Sequence, residues 1–122
     1  MSAADPQPDR SSQAENYFIS AGSGSRHLIF PGVEIRTTAG RGIMLSVVQL
    51  EPDAVVPDHA HPHEQMGIMI SGQLEFTVGG ITRVLGPGDI WRIPGGVVHR
   101  VKALGERAMA LDVFHPVRED YL

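Results

Sequence analysis

The chain has 122 residues, 42% hydrophobic and 20% charged, with a formal net charge of -4; this suits one soluble domain with a single core. It carries no basic block of the kind that neutralises a phosphate backbone, which argues against a nucleic-acid partner, and no apolar run near the roughly 18 residues that a bilayer span needs. With no cysteine in the chain, disulfides, thiolate nucleophiles and Cys-held metals are all excluded, so any metal must sit on nitrogen and oxygen.

The first sixteen residues are polar, contain proline and show no apolar period. They read as a mobile arm, with residues 17–122 as the folded unit. They also lack the basic-then-apolar order of a secretion signal, so a cytoplasmic location is the expectation.

From Tyr17 onward, short β-prone runs alternate with turn signals. The expected strands are residues 17–20, 27–30, 33–38, 42–50, 65–70, 73–78, 81–85, 89–93, 97–103 and 107–114. Between them stand Pro31-Gly32, Gly40, Gly42, Gly72, Gly79-Gly80, Gly86-Pro87-Gly88 and Pro94-Gly95-Gly96, all turn-forming. No run reaches ordinary helix length, and without crossover helices a parallel sheet is ruled out. The pattern predicts an all-β sandwich or barrel.

Three histidines fall within five residues, His59, His61 and His63, and His99 follows beyond two Gly-rich turns. If the segment is a strand, residues two apart share a face, so His59 and His61 can aim at one interior point, with Gln65 and His99 completing a cage. An isolated His-x-His pair is as readily a solvated loop feature. Further on, period two places Ala108, Ala110, Asp112 and Phe114 on one face of the last strand. That face can line a cavity, with Asp112 as a proton-transfer group and Phe114 as a stacking surface. Equally, Asp112 can cap a turn and Phe114 can fill the core.

The spacing of these residues resembles the two motifs of the cupin family. His59-Ala60-His61, Gln65 and Gly72 follow the first motif, with Asp53 in place of its opening Gly and Gln65 in place of its usual Glu. Gly88, Pro94, Gly96 and His99 follow the second, whose closing Asn is here Ala103. The resemblance implies a double-stranded β-helix, or jelly-roll barrel, holding one divalent metal ion on His59, His61, Gln65 and His99. Zn, Ni, Mn and Fe all accept imidazole. A neutral amide in the shell leaves the full dipositive charge on the ion, which favours Lewis-acid work over oxygen activation. His63 lies off the family pattern and is expected at the rim or behind the ligands.

The run His61-Pro62-His63-Glu64-Gln65, the stretch from Gly72 to Gly80 and the ending from Leu111 to Leu122 are similar to the KdgF group of small cupins. That group ketonises unsaturated monouronates released from pectin and alginate. The resemblance implies an isomerase or tautomerase acting on an anionic sugar acid, with Asp112 and Phe114 as its acid and aromatic. It also makes Arg118 a candidate for the substrate carboxylate, which a guanidinium can grip with a bidentate fork. A metal-dependent dioxygenase and a non-catalytic sugar-acid binder are the competing functions. A homodimer joined through exposed strand edges is the expected assembly.

Overall fold

The computed structural model describes residues 17–122, and the expected arm at residues 1–16 lies outside the described residues. Ten strands form: β1 (Ser25–Phe30), β2 (Val33–Ala39), β3 (Met44–Leu50), β4 (Val55–His59) and β5 (Glu64–Ser71), then β6 (Leu74–Val78), β7 (Ile81–Leu85), β8 (Ile90–Ile93), β9 (His99–Ala103) and β10 (Ala108–His115). A 3-10 turn over Glu119–Tyr121 ends the chain. From β3 onward the path passes repeatedly between a six-stranded sheet, β1-β2-β3-β10-β5-β8, and a four-stranded sheet, β4-β9-β6-β7. All pairings are antiparallel. This is the jelly roll that the sequence implied.

Two expectations fail locally. Residues 17–20 form no strand; Tyr17 and Phe18 are each 76% exposed, so that run buries too little apolar surface to hold an extended pairing. Conversely, β4 was not expected, because Pro57 interrupts a segment with only two adjacent valines. Pairing with β9 supplies what local propensity lacks. Among the described residues, no helix is long and apolar enough to cross a membrane.

Alternation places the inward residues in the core. In β2, Val33, Ile35 and Thr37 are buried while Glu34 and Arg36 are not. Val33, Leu50, Leu74, Ala103 and Ala108 pack at one end of the barrel, essentially without exposure. Burying each of the larger side chains contributes about 1.5–3 kcal/mol. Turn chemistry matches the backbone: Gly79 and Gly80 both take positive φ, 55° and 80°, as a two-residue type I′ hairpin between β6 and β7 requires. Asp53 adopts φ 65°, standing in the left-handed turn position where the motif has glycine.

One glycine shapes the interior. Asp112 pairs with Gly67, and Gly67 pairs with Trp91, so the three form one cross-strand row over β10, β5 and β8. A Cβ on Gly67 would overlap the Trp91 indole. Its absence lets the indole cross the row and donate Nε1–H to Asp112 Oδ1 at 2.8 Å. Gly67→Ala is therefore expected to cost roughly 1–3 kcal/mol through overpacking, read as a lower thermal midpoint. The fluorescence of Trp91, the chain's single tryptophan, should change with it. An unchanged midpoint and spectrum would show that the indole does not depend on the gap.

Candidate metal centre

His59 ends β4, His99 begins β9, Gln65 lies near the start of β5 and Phe114 near the end of β10, so all four gather at the end of the barrel opposite the apolar plug. His61 belongs to no strand and sits in the β4–β5 loop. The same-face argument for a His-x-His strand therefore does not apply; the loop turns the two rings together. The loop is held by the Gly96 N–H, which donates to His61 O at 2.8 Å and ties it to the β8–β9 turn.

The three imidazoles offer nitrogens that all lie within 4.8 Å of one another. Each Nδ1 faces a backbone carbonyl: His59 with Pro57 O at 2.9 Å, His61 with His63 O at 3.0 Å, and His99 with Val97 O at 2.9 Å. An Nδ1 next to a carbonyl must carry the proton, so in the neutral ring it is Nε2 that keeps the bare lone pair. Burial lowers the pKa of His99 to about 4. Burial and then the Arg118 charge lower that of His61. Both rings are thus neutral at pH 7, as metal ligation requires.

Gln65 completes the set. Its Nε2 donates to Asp112 Oδ1 at 2.9 Å, which fixes the amide orientation and leaves Oε1 3.0 Å from His61 Nε2. Two acceptors at that distance need a cation between or beside them. The buried His99 Nε2 likewise has no hydrogen-bond partner. The donor set therefore fits a divalent ion: His59, His61 and His99 can hold it, and Gln65 Oε1 stands where a fourth ligand would. His63 supports from behind, through its carbonyl and a ring centroid 5.6 Å from that of His61.

Asp112 lines the cavity beside the histidines. Burial raises its pKa from 3.8 to about 6, against the opposing pull of hydrogen bonds from Gln65 and Trp91 and of the Arg118 charge. The Phe114 ring meets His61 edge-on at 5.7 Å. The Arg118 guanidinium lies 3.9 Å from the Tyr121 ring centroid and 5.1 Å from that of Phe114. Its Nε and Nη2 already face Asp120, at 3.4 and 2.9 Å. One fork of Arg118 is therefore taken within the chain, and its free donors are on Nη1 and the other hydrogen of Nη2. Trp91, Asp120 and Tyr121 were not singled out in the sequence. A glycine inside a strand, Gly67, was the one signal that something approached the backbone closely.

Two facing antiparallel sheets with a three-histidine cluster at one end define a small metal-binding barrel. Residues 46–114, more than half of the chain, match the cupin domain, and the chain belongs to the cupin family. KdgF from Halomonas sp. is similar in structure, with TM-score 0.75 and 29% identity over 84% of this chain and 100% of that one. An RmlC-like cupin from Shewanella frigidimarina superposes with TM-score 0.80 and 24% identity over 87% and 96%. Oxalate decarboxylase from Bacillus subtilis superposes with TM-score 0.73 and 25% identity over 84% of this chain and 30% of its own. No curated protein sequence matches the chain.

Two outcomes follow from the site. His61→Ala should reduce metal content to well below one ion per chain by elemental analysis while the β-sheet circular dichroism persists; full occupancy would remove His61 from the ligand set. The second concerns the metal-free protein. Asp112 has a folded pKa of about 6, above its ordinary 3.8, so its ionisation costs stability as pH rises through that window. His99, held to about 4 against an ordinary 6.5, costs stability as pH falls through its own window. Asp112→Asn should therefore match wild type near pH 3.5 and exceed it by about 2–3 kcal/mol at pH 8. Urea unfolding of chelator-treated protein measures this. A loss at pH 8 would mean that Gln65 and Trp91 need the ionised carboxylate.

Proposed function

We propose that this cupin is a metal-dependent isomerase or tautomerase converting unsaturated monouronates to linear keto acids. The observation that carries the reading is Asp112, a cavity carboxyl whose pKa burial raises to about 6, joined to the histidine cluster through the Gln65 amide. The likeness to KdgF supports it, as does the similarity in the ending that contains Asp112, Phe114 and Arg118.

The conversion gains and loses no atoms. The hemiacetal ring bond breaks, the enol oxygen becomes a carbonyl, and a proton moves from the anomeric hydroxyl to the former vinyl carbon. One group able both to take and to return a proton suffices, and it works best with a pKa near the working pH. Asp112 is that group, with Oδ1 held by Gln65 and Trp91. The free donors of Arg118 bind the substrate carboxylate, and the Phe114 ring packs against the sugar. A divalent ion held by His59, His61, Gln65 and His99 would supply Lewis acidity to a substrate oxygen beside it; its identity among Zn, Ni, Mn and Fe is set by geometry and supply.

Purified protein supplied with each of these metals should accelerate loss of the substrate's enol-ether ultraviolet absorption, equally under nitrogen and air. Dependence on air would favour the dioxygenase reading, and saturable binding without turnover a binding module. Asp112→Asn should lower kcat about 100-fold or more with metal content intact. Gln65→Glu should hold metal at least as tightly, since it adds a negative charge to the shell, yet lose activity because a carboxylate cannot donate to Asp112. If wild-type protein fails with every metal, the uronate assignment is wrong.

A further inference from the structure

The cross-strand row that holds Asp112 continues past it. Thr37 of β2 pairs with Ser46 of β3, and Ser46 pairs with Asp112 of β10, ahead of Gly67 and Trp91. Thr37 is 3% and Ser46 1% exposed. Of the residues that β3 buries, Met44, Ser46, Val48 and Leu50, only the serine is polar. Across the cavity the four-stranded sheet offers Val56, Phe76 and Val101. Packing therefore does not call for a hydroxyl here, and a buried hydroxyl is costly unless it finds a partner.

The two hydroxyls of the row are not equivalent. Thr37 Oγ1 is already engaged with the Tyr121 carbonyl. Ser46 stands directly opposite Asp112 on the neighbouring strand, which puts their Cβ atoms about 4.5–5.5 Å apart, and both line the cavity together with Arg118. Gln65 and Trp91 donate to the same oxygen of Asp112, Oδ1, so neither of them serves Oδ2. We propose that Ser46 is a specificity-determining residue, whose hydroxyl forms with Asp112 Oδ2 a two-point seat for one hydroxyl of the ligand. A hydroxyl both donates and accepts. Here the ligand O–H donates to Oδ2, and the Ser46 O–H donates to the ligand oxygen. With Arg118 holding a carboxylate, the cavity selects a hydroxy acid over an acid with the same ring and no hydroxyl. In the conversion proposed above, on which the identity of that hydroxyl rests, it is the anomeric one, delivered to the group that takes its proton.

Binding, rather than turnover, tests the seat. The Trp91 indole, the chain's single tryptophan, donates to Asp112, so its fluorescence reports a ligand at that carboxylate. Two acids are compared on the full chain: D-galacturonate, and tetrahydropyran-2-carboxylate, which keeps the ring and the carboxylate without the hydroxyls. Wild type should bind galacturonate more tightly. Ser46→Ala, which removes one oxygen, should weaken galacturonate about tenfold and leave tetrahydropyran-2-carboxylate within about twofold, with unchanged circular dichroism. Thr37→Val removes the engaged hydroxyl and should leave the ratio of the two affinities as in wild type. Equal losses for both acids in Ser46→Ala would make the serine merely structural and overturn the proposal. So would no loss for either acid, a matching change of ratio in Thr37→Val, or no binding of galacturonate by wild type. The expected binding pattern without turnover of the unsaturated monouronate supports the seat and sinks the conversion.

Discussion

The Gln65 amide is the constraint on which the functional end of the barrel turns. An amide has a donor side and an acceptor side, and here each has a single use. Its nitrogen is claimed by the Asp112 carboxylate, so its oxygen is committed to the histidine cluster. A carboxylate at the same position would face Asp112 as a like charge. The neutral side chain thus links two requirements, a ligand oxygen for a cation and a donor for the buried acid, across one interior surface.

The rest of the site is backbone-directed. Each histidine of the cluster is oriented by a main-chain carbonyl within two residues of it, so the nitrogen it turns to the cavity is decided locally. Such partners fix ring direction and raise ligand basicity. The loops that carry these carbonyls are tied to one another by the Gly96–His61 hydrogen bond. The apolar plug at the far end leaves this end free to carry polar groups, and the C-terminal turn closes over it. There the Tyr121 carbonyl accepts from Thr37 Oγ1 and lies 3.0 Å from His27 Nε2, and its ring lies over Arg118. The arginine is thereby kept at the cavity wall in a nearly buried position, 8% exposed.

The two sheets divide their labour. The inner faces share one core, whereas the outer faces are opposite in polarity, and period-two alternation alone would have made both polar. The outer rows of β3, β10 and β5 are apolar, whereas the outer face of β9 and β6 is polar. Because β10 carries Asp112 inward and Leu111 and Val113 outward, one strand lines the cavity and builds the apolar outer face together.

The sequence by itself determined the all-β class, most of the strands and the paired motif spacing, whose resemblance to the cupin motifs singled out His59, His61, Gln65 and His99 as a candidate set. The turns and strands were legible because turn chemistry and alternation are local properties, as the left-handed Asp53 shows. The sequence also placed Asp112 and Phe114 on one face, since alternation survives any register. Only the tertiary structure decided that His61 converges from a loop, that β4 forms despite Pro57, and that Trp91 reaches Asp112 over Gly67. It alone showed Asp120 holding one fork of Arg118 and the apolar rows aligning on the outer sheet. These depend on which strands lie side by side and in what register, a long-range choice settled by packing the whole barrel, with no signature in any one segment.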